Sequence, residues 1–116
     1  MAGSPPELMQ GTADVLILKA VSWGPIHGFD VSRWLHRISD GHLGLEDAGL
    51  YQALHRLERR GWLQAEWGLS ANNRRAKFYE LTALGRQQLR AEVSTWRAYA
   101  AAVGRVLDTR ARGALA

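Results

Sequence analysis

The sequence predicts a mainly α-helical fold with one two-stranded β-hairpin: a winged helix-turn-helix carrying a long C-terminal dimerisation helix. Three observations predict it. Leu50, Leu54 and Leu57 lie on one side of a helix whose other side is strongly basic. Two alternating stretches, Leu63, Ala65, Trp67 and Lys77, Tyr79, Leu81, flank the turn-rich residues 68–74. Finally, Leu89, Val93, Trp96, Ala100, Val103 and Leu107 recur at the four-and-three spacing of a heptad seam.

Residues 1–10 hold Gly3, Ser4, Pro5 and Pro6 and are expected to be a flexible N-terminal segment. Residues 11–82 are expected to form the winged helix-turn-helix. Thr12 is placed to cap a first helix running to about Ser22, with Asp14 in its first turn and Leu16, Ile17, Leu18 and Val21 inward; Gly24-Pro25 then ends it. A second helix is read from about Gly28 to Ile38 with Val31, Leu35 and Ile38 on its inner face, followed by the turn residues Ser39-Asp40-Gly41. The third begins near Glu46-Asp47, whose charges suit a helix N-terminus, and stops at Gly61. The hairpin follows, its apolar face pressed on the helices because an isolated hairpin is weak. Thr82 caps the last helix, expected over 83–110 ahead of a flexible tail at 111–116. A seam this long outreaches a small tri-helical core, and burying it against a second copy is the direct remedy.

The chain of 116 residues is 47% hydrophobic and 22% charged, which suits one folded domain. Its formal charge is +4, yet residues 56–90 hold eight basic side chains against three acidic ones. That concentration lies where a phosphate backbone would be met. With no cysteine the chain has neither disulfide nor thiolate metal site, which fits a reducing cytoplasm. The apolar run over 15–21 is too short for a membrane span, and the first ten residues lack the order of a secretory signal, so no membrane partner is expected.

The outer side of the third helix presents Ala48, Gln52, His55, Arg56 and Arg59, with Tyr51 toward one edge. An amide can read adenine, a guanidinium can read guanine or grip phosphate, and a phenol suits a backbone oxygen. Arg59 and Arg60, near the helix end, fit phosphate contacts or intramolecular pairs. Arg74, Arg75 and Lys77 cluster at the hairpin tip and return strand, shaped for the minor groove, while Asn72 and Asn73 serve the turn. Gln52, His55 and Arg56 are therefore assigned to discrimination, and Arg74 and Arg75 to general affinity for double-stranded DNA.

The four histidines, His27, His36, His42 and His55, have neither cysteine companions nor an HExxH arrangement, so no metal or other cofactor is expected. No nucleophile and base stand at a diagnostic spacing, and the reading is of a non-enzyme. Trp96 has two readings. It belongs to the seam, and in a two-fold dimer the paired indoles could also sandwich a planar hydrophobic small molecule, which makes it the candidate effector-binding residue.

Five stretches in order resemble the PadR family of transcriptional regulators over about residues 9–107. They are Gly11-Thr12-Ala13-Asp14-Val15-Leu16-Ile17-Leu18, Gly24-Pro25-Ile26-His27-Gly28-Phe29, the run from Leu50-Tyr51-Gln52 through Arg59-Arg60-Gly61, Ala65-Glu66-Trp67-Gly68, and Asn72-Asn73-Arg74-Arg75-Ala76-Lys77-Phe78-Tyr79-Glu80-Leu81-Thr82. The resemblance implies a bacterial repressor that sits as a homodimer on an inverted repeat and is released, in many members, by a small molecule. It places Tyr51, Lys77 and Tyr79 at family positions, and the chain's length in the compact branch with a single C-terminal helix. Two departures stand out: Gly49 where the family usually has Ser or Thr, and Gln52 where it often has Pro. The competing reading is a winged-helix protein-interaction adaptor without DNA binding, for which Glu46, Asp47 and Glu58 near the third helix speak.

Overall fold

The computed structural model describes residues 11–113. The expected flexible segment 1–10 and the last three residues of the expected tail lie outside the described residues. Helix α1 spans Thr12–Val21 and buries Val15, Ile17, Leu18, Ala20 and Val21. Its N-cap is Gly11, at φ 90 and without a side-chain cap bond, and not Thr12 as the sequence suggests. Glycine tolerates that left-handed backbone, and the Thr12 hydroxyl is engaged elsewhere, accepting a hydrogen bond from Trp96 Nε1 at 3.2 Å.

After the turn at Gly24 (φ 131), the two residues Ile26–His27 form a strand, β1, that pairs with the return strand of the hairpin, Ile26 opposite Tyr79 and His27 opposite Phe78. Two residues carry no readable period, so the sequence reading contains only the hairpin. The sheet is thereby three-stranded in the order β1-β3-β2, with β2 at Leu63–Leu69 and β3 at Arg75–Leu81. Placing β3 in the middle ties the wing to the helical body and supports a hairpin that would be marginal alone.

Helix α2, Gly28–Ile38, buries Val31 and Leu35. Ile38 stays 63% exposed, against the sequence reading: it shares their face but lies one turn past the packed layer, where Ser39 closes the helix. The Ser39 hydroxyl donates to Leu35 O at 2.7 Å and accepts from Leu43 N at 2.9 Å. Helix α3, Asp47–Arg59, seats Leu50, Ala53, Leu54 and Leu57 in the core shared with Ile17, Leu18 and Val21 of α1, and Gly61 at φ 79 reverses the chain.

Leu63, Tyr79 and Leu81 are the hairpin's buried residues. The alternation of β2 continues outward to Trp67, which is 59% exposed and lies beyond the core. Residues 70–74 make the turn: Ser70 N donates to Arg74 O at 2.8 Å, and Asn73 takes φ 58 while donating to Ser70 O at 2.9 Å.

Helix α4, Ala83–Leu107, is capped by Thr82, whose Oγ1 accepts from Gly85 N at 3.0 Å. It ends three residues before the expected boundary, with Asp108 as C-cap. Its 25 residues make a rod of about 37 Å, and the molecule extends 63 × 36 × 20 Å. Leu89 packs on the core and Val93 and Ala100 are half-buried, but Trp96, Val103 and Leu107 are 43%, 38% and 76% exposed.

Candidate nucleic-acid interface

The leucine side of α3 fixes what its other side can do. With Leu50, Leu54 and Leu57 fully buried, the rotation per residue turns Tyr51, Gln52, His55 and Arg59 outward, and all four are exposed. Tyr51 leans toward the start of α2. A Cβ on Gly28 would lie 2.9 Å from its Cε1, so the glycine lets the phenol ring nest against that helix.

Arg56 has a partner inside the protein. The sequence places it among the outward readers, yet it is half-buried and its Nη2 donates to the Asp14 carboxylate, with Arg60 Nη1 3.8 Å from the other oxygen. Asp14, its side chain 12% exposed, thus ties α1 to the end of α3 through two guanidiniums. An acid flanked by apolar residues in α1 is the signal that could have found this role; in the sequence it reads only as a favourable helix-terminus charge.

Lys77 is likewise held. Its Nζ lies 3.0 Å from Glu58 Oε1 and 5.5 Å from the Tyr79 ring centroid, bracing the wing against α3. The hydrogen bond to Glu58 raises the Lys77 pKa above its ordinary 10.5, and burial pushes the Tyr79 phenol above 10.0. Both groups keep their protons longer in the folded chain, so the stabilisation is fully present below the unfolded values and is lost as pH rises through the folded ones. The melting temperature should hold steady to about pH 9.5 and fall above about pH 10, and Glu58→Gln should remove the Lys77 share of that alkaline loss. A pH series of thermal melts checks this.

At the wing tip Arg74 and Arg75 are exposed, and the Arg75 guanidinium sits 4.8 Å from the Trp67 ring centroid. Between the wing, Tyr51 and the start of α2 runs an open cleft of about 730 Å³ lined by His27, Phe29, Asp30, Arg33, Trp67, Lys77 and Tyr79 among others. Within it His27 Nε2 lies 3.1 Å from Asp30 Oδ2, and Arg33 Nη1 lies 3.7 Å from Asp30 Oδ1. The site residues therefore fall into two groups. Tyr51, Gln52, His55, Arg59, Arg74 and Arg75 are exposed, with Tyr51, Arg74 and Arg75 lining one cleft, whereas Arg56 and Lys77 are half-buried and ion-paired to Asp14 and Glu58.

Away from the cleft residues, Trp96 borders an open concavity of about 210 Å³ with Thr12, Val15, Glu92 and Tyr99. Among the described residues no group of three or more His, Cys, Asp or Glu could hold a metal ion, and no helix is long and apolar enough to cross a membrane.

The transcriptional regulator PadR-like family matches residues 17–91, from the middle of α1 into the first third of α4. The chain belongs to the PadR-like family of transcriptional regulators. Among solved structures of similar form, the protein smu.1704 of Streptococcus mutans is 26% identical with a TM-score of 0.78, over 94% of this chain and 98% of that one. A PadR family transcriptional regulator of Eggerthella lenta is 29% identical with a TM-score of 0.71, over 87% and 86%. A transcriptional regulator of Clostridium thermocellum shares the fold at a TM-score of 0.75 and 22% identity, over 83% and 93%. An uncharacterised protein of Lysinibacillus sphaericus is 24% identical over 90 residues, 78% of this chain and 83% of that protein. As a PadR-like DNA-binding regulator the chain is not an enzyme, and its mainly α fold with β2-β3 hairpin and long α4 is the family architecture.

Proposed function

We propose that this regulator acts as a homodimeric repressor, joined through α4, that occupies an inverted repeat in double-stranded DNA and thereby excludes polymerase from a promoter. The observation that carries the reading is the exposure of Tyr51, Gln52, His55 and Arg59 on α3 and of Arg74 and Arg75 on the wing, with Tyr51, Arg74 and Arg75 lining one cleft. An α-helix fits the major groove, and a basic hairpin beside it reaches the backbone or the minor groove. Gln52 and His55 are the base readers in this account; Arg59 grips phosphate, and Arg56 and Lys77 act by holding α3 and the wing.

The half-exposed seam of α4 supports the dimer. Trp96, Val103 and Leu107 would leave apolar surface in water on a single chain, and a two-fold pairing of α4 covers them. Glu58, one of the three acids that speak for the adaptor reading, is paired with Lys77. Selection of bound duplexes from a random library tests the proposal: it should return an inverted motif, with half-sites about one helical turn or a multiple apart. An asymmetric motif, or no enrichment, would count against it.

Arg75→Ala should weaken binding to specific and scrambled duplexes by a similar factor and flatten the salt dependence, because a phosphate contact carries no sequence information. Fluorescence anisotropy at several salt concentrations checks this; a loss confined to the specific duplex would reassign Arg75 to base reading. Trp96, with the concavity beside it, is the proposed place for a planar hydrophobic effector. Ligand binding there would release DNA only by favouring one separation of the two reading heads. Tryptophan emission should change on titration with planar hydrophobic compounds in the native chain and not in Trp96→Phe.

A further inference from the structure

We propose that the cleft between α2 and the wing is a clamp for one strand of the bound duplex, closed from its two sides by arginines that aromatic rings hold in place. The inference rests on the DNA-binding reading above and extends it to Arg33, Phe29 and Trp67. Two matching pairs line the cleft. On α2, the Arg33 guanidinium stands 5.6 Å from the Phe29 ring centroid and 3.7 Å from Asp30 Oδ1. On the wing, Arg75 stands 4.8 Å from the Trp67 centroid. Both rings are left more than half exposed, Phe29 at 56% and Trp67 at 59%.

Large rings held in water beside arginines call for a physical reason. A guanidinium stacked on a ring keeps its plane and its donors in a fixed direction, so it loses less conformational entropy when it takes up a phosphate. The ring edges left open can lie against the apolar faces of deoxyribose. Charge selects the occupant: three arginines, Arg33, Arg74 and Arg75, line the cleft against the single carboxylate of Asp30, which His27 and Arg33 already engage. The cleft opens beside Tyr51 of α3, so a strand leaving the groove read by that helix passes between the two pairs.

The test measures duplex binding by the full chain over a range of salt concentrations, using a duplex recovered by the selection described above. Arg33 is 70% exposed, so Arg33→Ala should fold as the parent does. It should weaken binding about tenfold and lower the slope of log affinity against log salt by about 1 for each reading head. Trp67→Ala and Phe29→Ala should weaken binding severalfold with a smaller change in slope, and Trp67→Phe should restore most of the loss. Arg75→Ala should cost less in the Trp67→Ala background than in the parent, because the ring acts through the arginine. An Arg33→Ala chain with parental affinity and slope would overturn the clamp while leaving the DNA reading intact, as would a folded Trp67→Phe as weak as Trp67→Ala. A parent chain with no salt-dependent duplex binding would instead defeat the underlying reading.

Discussion

Gly85→Ala should destabilise the chain by about 3 kcal/mol, the upper part of the range for overpacking a tight contact. An added Cβ would lie 2.0 Å from the Trp62 carbonyl oxygen and 2.9 Å from its carbon, so backbone must move. Little there can yield. Thr82 N donates to the same Trp62 oxygen at 3.1 Å, and Thr82 Oγ1 reaches Gly61 O at 2.6 Å while accepting from Gly85 N. This junction joins the end of α3 to the start of α4. Shifting it changes the angle between α3 and α4, so under the proposed dimer binding to a spaced inverted repeat should suffer more than binding to one half-site. Gly49→Ala is the contrast: nothing lies within 4 Å of its added Cβ, and it should stabilise α3 by about 0.5–1 kcal/mol. Paired thermal melts, expected to move in opposite directions, check both.

Asp14→Ala should have the second largest effect, a loss of about 2 kcal/mol. Removing one partner of a buried charge pair costs about 3–5 kcal/mol. Here the Arg56 and Arg60 side chains are 37% and 49% exposed, so water screens part of that loss. Asp14→Asn keeps the shape and one acceptor and should lose less. Because Asp14 ties α1 to the end of α3, DNA affinity should fall with Asp14→Ala even where the protein remains folded. Denaturant unfolding gives the stability, and anisotropy well below the melting temperature gives the affinity.

The parts of the fold that the sequence made legible are those with a strong period or a strong stop. The apolar spacing of α3, the Gly61 stop, the Thr82 cap and the alternation of β2 and β3 each depend on residues near one another in the chain. Contacts between distant residues were hidden. Gly85 reads as a routine glycine until Trp62 is folded against it, and β1 exists because β3 lies beside it. Arg56 has the position of a base reader on a helical projection, but a projection does not show an acid 42 residues earlier in the chain. Phe29 and Arg33, four apart on α2, carry a visible local pattern, yet only the approach of the wing gives it an opposing wall.

The central claim is that two copies of this chain, joined through α4, read one duplex with both α3 faces. The most direct measurement is the mass of the complex between the full chain and its selected duplex, by sedimentation or mass photometry. Two protomers on each inverted repeat, with Gln52→Ala and His55→Ala weakening that species but leaving scrambled DNA nearly unaffected, is the predicted result. A single protomer on each duplex, or equal losses on both DNAs, would contradict it.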